Sequence, residues 1–171
     1  MNETLYIPDL IGAVVAKVNT ALESRPTDPH SVYFDFGHHE EVLKQLIYKE
    51  QNPGKPQKYP LIWLVTPFAE ERDQLHIYGV ATLHFVIAHY TSNTYSMPER
   101  RDNVFLPILY PVYHELLKQL KLSQSFVTVG QLSQIKTDIQ YAKVDEGRNL
   151  FNDFVDVVDV KNIKIQVKNI C

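Results

Sequence analysis

Apolar positions along this chain change period several times, and each change predicts an element boundary. Over residues 5–22, Ile7, Leu10, Ile11, Val14, Val15, Val18 and Leu22 recur at three- and four-residue spacing, which predicts an amphipathic helix with one buried stripe. Arg25-Pro26 and Asp28-Pro29 end it. "SVYFDF" predicts a short strand closed by Gly37, and residues 38–49 return to helical spacing with Val42, Leu43, Leu46 and Ile47 on one side. The loop "QNPGKPQKYP" leads into "LIWLV", a continuous apolar run expected of a strand covered on both faces.

"AEERDQ" reads as a charged turn, followed by a strand over 78–90 that sets Leu83, Phe85 and Ile87 against Thr82, His84 and Val86 and forms a hairpin with the strand before it. "SNTYSMPERRDN" reads as a polar loop. The helix after it carries Val104, Ile108, Val112 and Leu116 on one stripe, and Pro107 and Pro111 are expected to kink or locally open it. Three more strands are expected over 126–129, 132–141 and 154–167. In the last, the apolar phase moves from Val155 and Val157 to Val158 and Val160, then to Ile163, Ile165 and Val167, which predicts bulges or a tight turn. The order gives a single α+β domain over 1–171, with a largely antiparallel mixed sheet flanked by about three helices, the first within residues 1–25.

Composition narrows the function classes. A chain of 171 residues, 44% of them hydrophobic, is sized for one core and short for two. Seventeen basic against twenty acidic residues leave no overall attraction to a polyanion. The sole cysteine, Cys171, excludes an internal disulfide and a cysteine-based zinc site. Residues 1–25 lack the basic start and unbroken apolar run of a secretion signal, and no stretch has the length of a membrane span, so no membrane association is expected.

Candidate chemistry centres on "HHEE". Consecutive helical side chains are about 100° apart, so His38, His39, Glu40 and Glu41 fan around the axis, and only His38 with Glu41 has a converging spacing. A His-Glu-x-x-His zinc motif would need histidine at 43, where Leu43 stands. The segment reads as a helix start with its acidic residues at the positive end of the dipole. The alternative is a small metal-dependent hydrolase or nuclease using His38 and Glu41 with His76 or His84. His84 and His89 face opposite sides of their strand, and His114 reads as a solvent-edge residue. No nucleophile elbow or phosphate-binding glycine pattern is present, so no enzyme, cofactor or metal is expected.

"FGHHEEVLKQL", "KYPLIWLVTPFAE", "VIAHYTSNTYSMPERRDNVFLPILYPVYHELLKQL" and "NLFNDFVDVVDVKNIKIQVK" together resemble a family of small proteins of phages and prophages of Bacteroides-type hosts, over residues 34–168. These resemble virion neck and tail components of the tail-terminator or head-to-tail connector kind. The resemblance implies a structural subunit of the virion, forming a closed ring of six or twelve copies around the DNA channel. Its partners would be further copies and other neck, tail or portal proteins, with packaged DNA close by. Partner contacts are then expected on the polar loops at 49–59 and 90–103, with Lys55, Lys58, Tyr95, Arg100 and Arg101, and on a C-terminal strand edge at Ile163 and Ile165 open to strand addition. A phage protein acting on the host cell is a further alternative.

Overall fold

A computed structural model describes residues 6–24, 31–51, 58–72, 78–128, 134–140 and 153–168. The architecture is α+β: a seven-stranded, largely antiparallel mixed sheet with helices on both faces. Its centre is a long antiparallel pair, β4 (Tyr78–Tyr90) with β7 (Val155–Lys168). Each long strand has two short partners on its outer side. β2 (Leu61–Val65) and β3 (Ala69–Arg72) lie along opposite halves of β4, and β6 (Ile135–Ile139) and β5 (Phe126–Thr128) along opposite halves of β7. β1 (Tyr33–Gly37) adds to β2 in parallel.

Two helical elements cover one face, called the front. α1 (Ile7–Glu23) turns Ile11, Val14, Val15 and Val18 inward, and beside it runs a rod composed of α3 (Met97–Arg100), a π-helical run (Arg101–Leu109) and α4 (Tyr110–Leu122). The expected stripe Val104, Ile108, Val112 and Leu116 is buried. Pro107 lies inside the π-helical run, where Tyr110 N–H donates to Phe105 O five residues back. A proline lacks the N–H and crowds the preceding turn, and a wider turn accommodates both. This is the local opening the paired prolines foreshadowed.

On the back face, α2 (His39–Gln51) lays Val42 and Leu46 over Leu61, Trp63, Val86, Ala88, Val155 and Val157. Gly37 makes the turn into α2 at φ 143°, a conformation open to glycine, and its carbonyl accepts Trp63 Nε1–H at 3.0 Å.

Three expectations change. Residues 69–72 form strand β3, because β2 pairs with only part of β4 and the rest of that strand takes a second partner. The rod starts at Met97, where "SMPE" supplies a capping box: Glu99 accepts from both Ser96 N–H and Ser96 Oγ at 2.7 Å. In β7, only the second phase change is a bulge. Leu83 pairs with Ile163 and Phe85 with Val160, so Lys161 and Asn162 oppose His84 alone, and Asn162 takes φ 65°. At the first phase change the ladder is regular, and both sides of the strand are buried under the two helical layers.

Candidate interaction surface

The "HHEE" segment forms the start of α2. Glu41 accepts the His38 backbone N–H at 3.0 Å, and the His38 carbonyl accepts from Glu41 and Val42 N–H. The His39 ring lies tilted against Trp63, centroids 6.0 Å apart, and Glu40 is exposed. Glu41 thus meets the backbone of residue 38 and returns one of the helix's unpaired donors. Among the described residues no three His, Cys, Asp or Glu side chains gather as a metal site requires. His76 lies outside the described residues. His84 is on the back face bonded to Asp159, which also meets Lys161 Nζ at 3.0 Å. Burial alone would raise the Asp159 pKa, but the bonds from His84 and Lys161 outweigh it and hold the carboxyl below the usual range.

The two adjacent arginines separate completely. Arg101 is 70% exposed and lies 3.8 Å from Asp102. Arg100, expected at a partner surface, is instead 2% exposed: its guanidinium donates to Asp156 at 2.7 Å, to Thr91 Oγ1 at 3.3 Å and to the Ser92 carbonyl at 3.0 Å. It fastens the start of the rod to the central strand. Tyr95 is half-buried against the front core, and Lys58 is held by Asp153 at 2.7 Å; Lys55 lies outside the described residues. Ile163 and Ile165 are fully buried, and β7 pairs with β4 on one side and, on the other, with β6 over residues 157–161 and β5 over 165–167. The edge expected at Ile165 is therefore taken by β5, since a strand with alternating exposure can sit inside a sheet when one face is covered.

Free margins lie elsewhere. Among the described residues β1 pairs only with β2, and β5 and β6 only with β7. Next to the β1 margin, Tyr6 and Phe36 are exposed and touch edge to face at 6.0 Å, with Ile47 of α2 also exposed. Next to the opposite margin, Leu122, Val127 and Ile135 are exposed. Of these, Ile47 lies on the apolar side that helical spacing predicts for residues 38–49, yet it is exposed. Phe36 had a legible signal, an aromatic on the phase of Phe34 at the last position before the turn glycine. Ile135 and Val127 had none, since their strands alternate as a buried face would.

β6 is tied to the rod through its front side. Asp138 accepts from Tyr110 OH and from Lys136 Nζ, each at 2.7 Å, and Lys136 Nζ lies 4.3 Å from the Tyr110 ring centre. The hydrogen bond to Asp138, then partial burial, raises the Tyr110 pKa to about 12. Beside this network is a shallow pocket of about 200 Å³ lined by Met97, Arg101, Phe105, Tyr110, Asp138 and Gln140. No described helix is long and apolar enough to cross a membrane. No protein-family model and no curated protein matches this chain.

Proposed function

We propose that this chain is a structural subunit of a phage virion at the head-to-tail junction, assembling with further copies into a ring around the DNA channel. The observation that carries this reading is the pair of unlike exposed apolar margins on opposite sides of one sheet: Tyr6, Phe36 and Ile47 on one, Leu122, Val127 and Ile135 on the other. A ring subunit meets its two neighbours through different surfaces, whereas a twofold dimer uses one surface twice. The family resemblance of residues 34–168 supports the virion setting, with neck, tail or portal proteins as the other partners. Arg101, exposed at the start of the rod, is available to an acidic partner surface or to DNA in the channel.

The test is solution mass by light scattering on the purified protein, joined to peptide mass analysis of washed phage particles. The reading expects a discrete oligomer, six or twelve copies, and peptides from this chain in the particles. A monomer at every concentration, with no peptides in the particles, overturns it.

A further inference from the structure

We infer that successive copies join by continuing the sheet, with β6 of one copy pairing antiparallel with β1 of the next. This deepens the ring reading and rests on its premise that the chain self-associates.

The pairing registers trace four unbroken rows across five strands: Tyr33–Leu61–Ala88–Val157–Ile139, Phe34–Ile62–Ile87–Val158–Asp138, Asp35–Trp63–Val86–Asp159–Thr137 and Phe36–Leu64–Phe85–Val160–Lys136. The two margins, each five residues long, therefore stand at the same level of the sheet. One parallel step and three antiparallel steps separate them, so β6 runs opposite to β1. A head-to-tail neighbour would present its β1 to β6 in the antiparallel sense.

The backbone polarity agrees. Tyr33 N–H donates to the Pro60 carbonyl at 2.8 Å and Thr66 N–H to the Gly37 carbonyl at 3.2 Å, so residues 33, 35 and 37 turn toward β2. Phe34 and Phe36 then turn their peptide groups outward. Carrying the alternation of each ladder along the rows turns Ile135, Thr137 and Ile139 toward β7, and Lys136 and Asp138 outward. The outward residues of both margins occupy the same two rows. Paired row on row, Phe36 with Lys136 and Phe34 with Asp138 become the hydrogen-bonded positions, and Asp35 with Thr137 and Tyr33 with Ile139 the close, non-bonded ones.

The side chains suit this register. Tyr33 meets Ile139, and Lys136, its amine kept on Asp138 and the Tyr110 ring, lays its aliphatic stem beside the exposed Phe36 ring. The Phe34–Asp138 row contributes through its backbone alone, since Phe34 packs on the front core and Asp138 is held by Tyr110 and Lys136. In the single chain the outward Phe36 N–H donates to Asp35 Oδ1 at 2.9 Å. That carboxylate holds the place a neighbour's carbonyl would take, and it shields the edge until a partner arrives.

The experiment is a cysteine pair, Asp35→Cys with Thr137→Cys, in a Cys171→Ser background. Non-bonded antiparallel partners lie roughly 4.5 Å apart at Cα, within disulfide reach. Mild oxidation is expected to give a ladder of covalent multimers on a non-reducing gel, lost on reduction and absent from either single-cysteine chain. A second test needs no cysteine: Phe36→Lys sets lysines opposite one another and is expected to weaken self-association about fivefold or more per contact, with Phe36→Lys/Lys136→Glu restoring it. Melting curves establish that each variant is folded. An oligomer that gives no ladder, or a folded double variant that stays dissociated, overturns the sheet junction and leaves the ring reading standing. A ladder from a protein that grows into open chains and is missing from phage particles upholds the junction and removes the ring. A chain that stays monomeric and gives no ladder removes both.

Discussion

The two ends of the β4–β7 pair are built from one continuous ladder yet live in different surroundings. At the end flanked by β2 and β6, α2 on the back and α1 with the rod on the front cover both faces, and Val155, Val157, Val158 and Val160 are all buried. At the end flanked by β3 and β5, among the described residues only the front is covered: Ile163, Ile165 and Val167 are buried, while Lys164 is exposed and Gln166 half-buried. The contrast teaches that a hydrophobic pattern reports how many faces of a strand are covered. It is silent on whether the strand's edges are paired.

The sharpest break in this comparison comes at the doubly covered end, at the Arg100–Asp156 pair. Arg100→Ala leaves a buried carboxylate without its main cation and is expected to cost about 3–5 kcal/mol in urea unfolding. Arg101→Ala, one residue on, is expected to stay within about 0.5 kcal/mol. Equal losses at the two positions would refute the assignment of Arg100 to the interior.

Neighbouring substitutions on β7 sharpen the contrast in coverage. Val157→Ala and Val158→Ala point to opposite faces, and each is expected to cost about 1.5 kcal/mol for the buried carbon removed. At the other end Ile163→Ala is expected to cost about 2–5 kcal/mol and Lys164→Ala less than about 0.5. Thermal or urea melts of the four variants test whether adjacent positions behave alike at one end and unlike at the other.

The smallest effect expected is a pH dependence at the junction of the two ends, where Asp159 sits beside His84 and Lys161. Its folded-state pKa is held below that of an unfolded aspartate, about 3.9. The unfolded chain therefore binds the proton first as pH falls. The stabilisation is complete above about pH 4 and is lost as the pH drops through the depressed folded value. Stability measured from pH 6 to pH 2 should fall less steeply in Asp159→Asn than in the parent chain. Parallel slopes would show that Asp159 contributes nothing to the acid limb.

Much of the fold was legible because helical and strand periods depend on local spacing. The α1 stripe, the Val104–Ile108–Val112–Leu116 stripe and the bulge after Val160 each appear where those spacings change. What stayed hidden depends on residues far apart in sequence. Arg100 reads as a surface arginine until Asp156 arrives 56 positions later, on a strand whose place in the sheet no local pattern reveals. "AEER" has no apolar alternation and becomes β3 only because part of β4 would otherwise lack a neighbour. The candidate site suffered most, since Ile163 and Ile165 alternate as a solvent-facing edge would, while the margins at Phe36 and Ile135 are set by topology.

The bulge at Lys161 and Asn162 acts on β7 as a reading frame acts on a message. Upstream of it the front-facing positions are even-numbered, at Val158 and Val160; downstream they are odd, at Ile163, Ile165 and Val167. Deleting one residue there would shift the later side chains to the other face, sending Ile163, Ile165 and Val167 to the back and Lys164 and Gln166 toward the core. Single-residue insertions or deletions in this strand are therefore tolerated only in compensating pairs, although no side chain in the bulge itself is buried.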